Sequence, residues 1–176
     1  EGAFSGCTNL GNIRIPNSVI NIGMHAFEKC KSLINLTLPE GLTSIRAYTF
    51  FECENLDNIK IPDSVRVIEM GAFQNCFNLD TVTLPESLTE IEIEAFTACK
   101  SLNNITIPST VESIGEGVFS NCSELTNIKL SENITNIPRY AFAHCIRLSK
   151  LEMPDGVVSI GQYAFRGCES LEKLIL

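Results

Sequence analysis

Cysteine occurs eight times in the 176 residues, at positions 7, 30, 53, 76, 99, 122, 145 and 168, and every interval is 23. Thiols have the widest chemistry here: they pair as disulfides, and as thiolates they bind zinc or act as nucleophiles. Stacked one turn apart, at about 5 Å, they would lie within the Cα reach of a disulfide, and a thiol ladder could hold a metal. Bridges and metal ligands gather in clusters, however, whereas one thiol per fixed period marks a repeat array in which the same slot recurs. Small buried cysteine is an ordinary core residue. The spacing therefore favours reduced thiols in one inward column, with disulfides and metal as the alternatives. Free thiols are unusual in an exported protein, which asks for burial or a reducing setting.

Other candidates for catalysis are few. His25 and His144 fall at different places in the period, five repeats apart, and a Cys-His or Ser-His nucleophile pair needs hydrogen-bond contact. No G-x-S-x-G, H-E-x-x-H or glycine-rich phosphate loop is present. The expectation is no enzyme, no cofactor and no metal. Carboxylates recur as Glu40, Asp63, Glu86, Glu132 and Asp155, interrupted by Asn17 and Ser109. One carboxylate per turn is a thin supply for Ca²⁺, which takes about six to eight oxygens, so a solvated acidic ridge is expected. Asn-x-Ser/Thr triplets begin at Asn35, Asn104, Asn121 and Asn133, and strand threonines beside turn asparagines produce them by composition alone.

A chain that is 44% hydrophobic and 19% charged can bury a core and is not disordered in character. A net charge of −8 points away from nucleic acid, since phosphate contacts need clustered Lys and Arg. No run of 18 apolar residues occurs, so no helix of this segment is expected to insert in a membrane. Both ends fall in mid-repeat and no signal peptide precedes Glu1. The expectation is one array over 1–176, about seven and a half 23-residue repeats, cut from a longer protein without natural caps. Uncapped first and last turns would expose core and favour end-to-end self-association.

The elements that position these columns follow from one period, residues 93–115. Phe96, Cys99 and Leu102 stand at i, i+3 and i+6, which predicts a few helical turns. Ile105 and Ile107 alternate and are β-branched, which predicts a short strand with both on one face. Pro108 follows and stops it; Val111 and Ile114 then lead back to the next arc. Burial of eight side chains cannot offset the ordering of 23 residues, so each turn must be stabilised by its neighbours.

The consensus A-F-x-x-C-x-x-L-x-x-I-x-I-P-x-x-V-x-x-I-G resembles the BspA-like, or treponemal-type, leucine-rich repeat family. Leu10-x-x-Ile13-x-Ile15 and its successors match the leucine-rich strand segment. The asparagine that usually follows is replaced by Ser18, Gly41, Ser64, Ser87, Thr110, Asn133 and Gly156. Proline comes after the strand at Pro16, Pro39, Pro62, Pro85, Pro108 and Pro154, with Ser131 the exception. The resemblance covers essentially the whole chain. It implies an α/β solenoid: a right-handed leucine-rich-repeat coil with a parallel β-sheet on the concave face and short helical turns on the convex face. It also implies a non-enzymatic protein-binding or adhesion module of a bacterial or protist cell-surface or secreted protein, used in host or matrix interaction. The partner is a protein, or a glycan, of unknown identity. A spacer presenting another domain and an intracellular leucine-rich-repeat scaffold are the alternatives.

Strands that point isoleucine inward must point their flanking residues outward. The expected binding rows on the concave face are Asn12 and Arg14, Asn35 and Thr37, Asn58 and Lys60, Thr81 and Thr83, Asn104 and Thr106, Asn127 and Lys129, Lys150 and Glu152. The asparagine row could equally form amide ladders between turns. Phe51 and Phe77 fall outside the core columns and are candidate exposed apolar contacts, with Ile146 in the column of Phe77.

Overall fold

The structure, a computed structural model, describes residues 1–175; Leu176, the last residue of the expected array, lies outside the described residues. Every period contributes a three-residue strand at the I-x-I segment, and six periods add a two-residue strand before the convex arc. In chain order these are β1 (Asn12–Arg14), β2 (Asn35–Thr37), β3 (Ser44–Ile45), β4 (Asn58–Lys60), β5 (Val67–Ile68), β6 (Thr81–Thr83), β7 (Glu90–Ile91), β8 (Asn104–Thr106), β9 (Ser113–Ile114), β10 (Asn127–Lys129), β11 (Asn136–Ile137), β12 (Lys150–Glu152), β13 (Ser159–Ile160) and β14 (Lys173–Ile175).

All pairings are parallel and in register from one period to the next: Asn12 faces Asn35, Asn58 faces Thr81, Asn104 faces Asn127 and Lys150 faces Lys173. These pairs abut to make the main sheet. The two-residue strands form a second ladder, β3-β5-β7-β9, which stops and resumes as β11-β13. The stop has a specific cause. Glu69, Glu92 and Gly115 each donate a backbone N–H to Ile45, Ile68 and Ile91 at 2.8 Å. In the next turn that position is Pro138, which has no N–H to give to Ile114.

Between the ladders lies a single core in which the Phe, Cys and Leu102 columns each keep one residue type, while the columns of Ile105, Ile107 and Val111 exchange Ile, Leu, Val and Met. Phe27, Phe50, Phe73, Phe96, Phe119 and Phe142 are at most 1% exposed. From Phe4 to Phe165 the rings stack nearly parallel, with neighbouring centroids 5.2 to 5.8 Å apart. Cys99, Leu102, Ile105, Ile107, Val111 and Ile114 point inward as the periodicity requires.

The expected helical turns are not found: among the described residues there is no helix. Each convex arc instead contains two left-handed residues four apart, such as His25 and Lys29, Tyr48 and Glu52, or Glu94 and Ala98, with φ of 55° to 59°. A left-handed residue ends a right-handed helix, and for a non-glycine it costs about 1–2 kcal/mol. Cross-turn hydrogen bonds offset that cost. Glu94, Phe96 and Ala98 donate to Glu116, Val118 and Ser120 of the next turn at 2.7 to 3.0 Å, while Ala95, Thr97 and Cys99 close tight turns on Glu92, Glu94 and Phe96. Chained tight turns place Phe96, Cys99 and Leu102 inward as a helix would, so the apolar spacing alone does not separate the two. A helix would satisfy its N–H groups along the chain; this arc sends every second one across to its neighbour.

Candidate functional site

The thiol column lies inside this arc. From Cys30 to Cys168, each Sγ–H donates to the carbonyl of the phenylalanine 26 residues earlier, at 3.1 to 3.2 Å. That carbonyl also accepts a backbone N–H three residues on, as Phe96 does from Cys99. Cysteine is small enough for the slot and supplies a donor that alanine lacks. All eight cysteines are free, and Cys30, Cys53, Cys76, Cys99, Cys122 and Cys145 are buried. Burial pushes the Cys30 thiol up to about 11 and that of Cys122 to about 12, and raises those of Cys53, Cys76, Cys99 and Cys145 as well. Burial thus makes the thiolate, the nucleophilic and zinc-binding form, costly at these six positions, and the bonds to the phenylalanine carbonyls tie each turn to the one before it.

The histidines are engaged elsewhere. His25 Nδ1 lies 2.7 Å from Glu28 Oε2, and its ring stacks on Tyr48 at 5.1 Å. Hydrogen bonds from Lys29 and then His25 hold the Glu28 carboxyl below its ordinary range. His144 lies over Gly167, where any Cβ would meet its Nδ1 at 2.5 Å. Neither touches a thiol. Glu40, Asp63, Glu86, Glu132 and Asp155 all lie exposed, and among the described residues no three His, Cys, Asp or Glu side chains gather as a metal site.

The outward rows stand where the alternation puts them. Asn35 and Thr37, Asn58 and Lys60, Thr81 and Thr83, Asn104 and Thr106, Asn127 and Lys129, and Lys150 and Glu152 are exposed on either side of a buried Leu, Ile or Val. Asn12 and Arg14 flank the half-buried Ile13. Asn58 and Asn104 turn to Asp57 and Asn103 beside them, and the amide bonds between turns fall in neighbouring rows, Asn78 to Asn55 at 3.1 Å and Asn103 to Asp80. Asn55, Asp57, Asn78, Asp80 and Asn103 also line a polar trench of about 790 Å³ beside the strand starts. These rows precede the strand, and inward–outward alternation gives no signal for them.

The position that lacks the family's usual asparagine is not idle. Ser64, Ser87 and Thr110 donate their hydroxyls to Leu42, Val65 and Leu88 of the preceding turn at 2.5 to 2.8 Å, and Asn133 Nδ2 reaches Ser109 at 2.7 Å. Ser131, which interrupts the proline column, is buried and donates to Val111 at 2.7 Å. Phe51 and Phe77 are half-buried. Phe51 meets Tyr48 edge-on at 5.7 Å, and Lys100 Nζ sits 4.4 Å above Phe77.

Along the C-terminal half of the main sheet three hollows adjoin. One of about 330 Å³ is bounded by Thr83, Glu86, Thr106 and Asn127. It shares Glu86, Thr106 and Pro108 with a hollow of about 190 Å³, which shares Lys129, Leu130 and Glu132 with one of about 640 Å³ reaching Lys150, Glu152 and Asp155. A hydrogen bond from Lys150 holds Glu152 below its ordinary range.

No curated protein matches the chain. Among solved structures, a leucine-rich repeat protein from Bacteroides ovatus is 30% identical with a TM-score of 0.90, over 96% of this chain and 46% of that one. The leucine-rich repeat protein of T. pallidum is 30% identical with a TM-score of 0.85, over 92% of this chain and 78% of that one. A leucine-rich cell surface protein from Faecalibacterium prausnitzii is 32% identical with a TM-score of 0.63, over 99% of this chain and 55% of that one. The chain thus spans about half the length of the first and third. The family model for the BspA type leucine-rich repeat region matches residues 1–103 and 89–176. With its period, its parallel ladders and its Phe–Cys arc, the chain belongs to the BspA-type leucine-rich repeat family.

Proposed function

We propose that the chain is a protein-binding module of a cell-surface or secreted protein, with its ligand held on the outward rows of the main sheet. The observation that carries this reading is the run of three adjoining hollows from Thr83 to Asp155, where Lys129 and Lys150 alternate with Glu86, Glu132, Glu152 and Asp155. The rows beside it vary among Asn, Thr, Arg, Lys and Glu while the Phe and Cys columns repeat, as a rigid scaffold with variable recognition requires. Burial of six of the eight free cysteines makes those thiols compatible with export. The Faecalibacterium structure, described as a cell surface protein, supports the location.

The test is surface plasmon resonance against immobilised serum and extracellular-matrix proteins. For each ligand the wild type captures, Lys60→Glu/Lys129→Glu is expected to weaken binding by about tenfold, with an unchanged melting temperature. Unchanged binding to every captured ligand removes the sheet face from the function. Antibody labelling of intact cells tests the location, and labelling only after lysis contradicts it.

A further inference from the structure

Charge is unevenly spread along the solenoid: residues 40–94 contain eleven acidic and three basic side chains, whereas residues 129–173 contain five and six. Within the second segment two arginines are built into the convex arc in an unusual way. The Arg139 guanidinium lies 4.7 Å from the centroid of the Tyr140 ring and donates to its hydroxyl at 3.2 Å. Tyr140 stacks on Tyr163 at 5.2 Å, with 18° between the planes. Arg166 lies over Tyr163 at 5.5 Å. The contacts thus run in one row, Arg139–Tyr140–Tyr163–Arg166, and His144, over Gly167, adjoins its end.

Both guanidiniums are exposed, and neither has a carboxylate within 4 Å among the described residues, whereas Arg46 and Arg147 are paired with Glu69 and Glu124. The corresponding positions of earlier turns hold no guanidinium on a tyrosine: His25 stacks on Tyr48 and pairs with Glu28, Tyr48 meets Phe51 edge-on, and Gly71, Glu94 and Gly117 follow in the tyrosine column. A guanidinium laid on an aromatic face loses little further freedom when it binds, and its planar N–H fork matches a carboxylate in two bonds. Tyrosine and arginine together are also the side chains that dominate protein interfaces.

We propose that the Arg139–Tyr140–Tyr163–Arg166 row is a second interaction surface, one that binds an acidic peptide segment of a partner protein. Two separate forks with an exposed tyrosine between them suit an extended chain carrying carboxylates on either side of an apolar residue. A single phosphate would engage one fork only. The surface lies on the convex arc, apart from the sheet-face rows.

Fluorescence anisotropy with a labelled glutamate-rich decapeptide tests the proposal. Arg139→Gln/Arg166→Gln is expected to weaken binding by at least about tenfold. Arg139→Lys/Arg166→Lys keeps the charge but loses the fork and the flat stacking, and is expected to lose about fivefold. Lys60→Gln/Lys129→Gln on the sheet face should bind as wild type does, which separates failure here from failure of the sheet-face reading. Wild-type affinity in the lysine variant, or equal loss in the sheet-face variant, overturns the proposal. So does preferential displacement by a sulfated polysaccharide, which would make the partner a glycan. A concentration-dependent dimer abolished by the arginine variants overturns it too, because the partner would then be a second copy.

Discussion

The Phe–Cys arc and the main-sheet face recur with the same 23-residue period, yet they are built on opposite rules. In the arc the Phe and Cys slots keep one side chain from turn to turn, and every second backbone N–H and each thiol from Cys30 onward finds its partner one turn away. On the sheet face the flanking side chains vary among Asn, Thr, Arg, Lys and Glu along the rows, and most make no bond between turns. The difference shows where constraint falls in a solenoid. A slot that contacts its own copies above and below accepts few side chains, while a slot facing water accepts many. Recognition can therefore be rewritten on the faces without disturbing the stack.

The largest expected departure between the two regions is at high pH. Unfolded thiols ionise near 9.0, whereas folded Cys122 ionises near 12 and the other buried thiols are also raised. The folded state keeps protons that the unfolded state releases, so stability is complete below about pH 9 and falls as pH rises towards the folded values. Each buried thiol contributes about 1.4 kcal/mol per pH unit, and six together roughly 8 kcal/mol per unit. Circular dichroism in deoxygenated buffer should show cooperative unfolding shortly above pH 9, and a fold unchanged at pH 11 contradicts the buried, protonated column.

Substitution is expected to divide the regions next. Phe96→Ala opens a hole in a fully buried ring stack and should cost about 3–5 kcal/mol in urea unfolding. Asn104→Ala and Thr106→Ala on the adjoining sheet face should stay within about 0.5 kcal/mol. Comparable losses would mean that the face is structural.

The smallest effect concerns the interrupted ladder. The amides of Thr89 and Glu112 donate to Arg66 and Thr89, but that of Thr135 has no corresponding bond to Glu112 among the described residues. In native-state hydrogen exchange Thr135 should exchange faster than Thr89 and Glu112. Equal protection would place the weak point elsewhere.

Much of this was legible in the residues. Eight cysteines at one step of 23 fix the length of a turn in residues, and Ile105-x-Ile107 before Pro108 gives the strand and its outward rows. The arc is not legible in the same way, because i, i+3, i+6 spacing serves a helix and chained tight turns alike. Left-handed φ at Tyr48, Glu52 or Ala98 has no signature in those residue types, although glycine at 71, 117 and 167 in the same columns was a hint. The Arg139–Tyr140–Tyr163–Arg166 row was hidden for another reason: its members are 27 residues apart at the extremes and meet only when columns one turn apart are stacked.

The thiols offer the most direct measurement of the central claim that the regular columns are scaffold. Titration with a chromogenic disulfide reagent before and after denaturation reports both access and oxidation state. In the native protein exposed Cys7 should react at once, Cys168 slowly, and the six buried thiols hardly at all; in guanidinium all eight should react. Rapid native reaction of several thiols, or fewer than eight after denaturation, would contradict it.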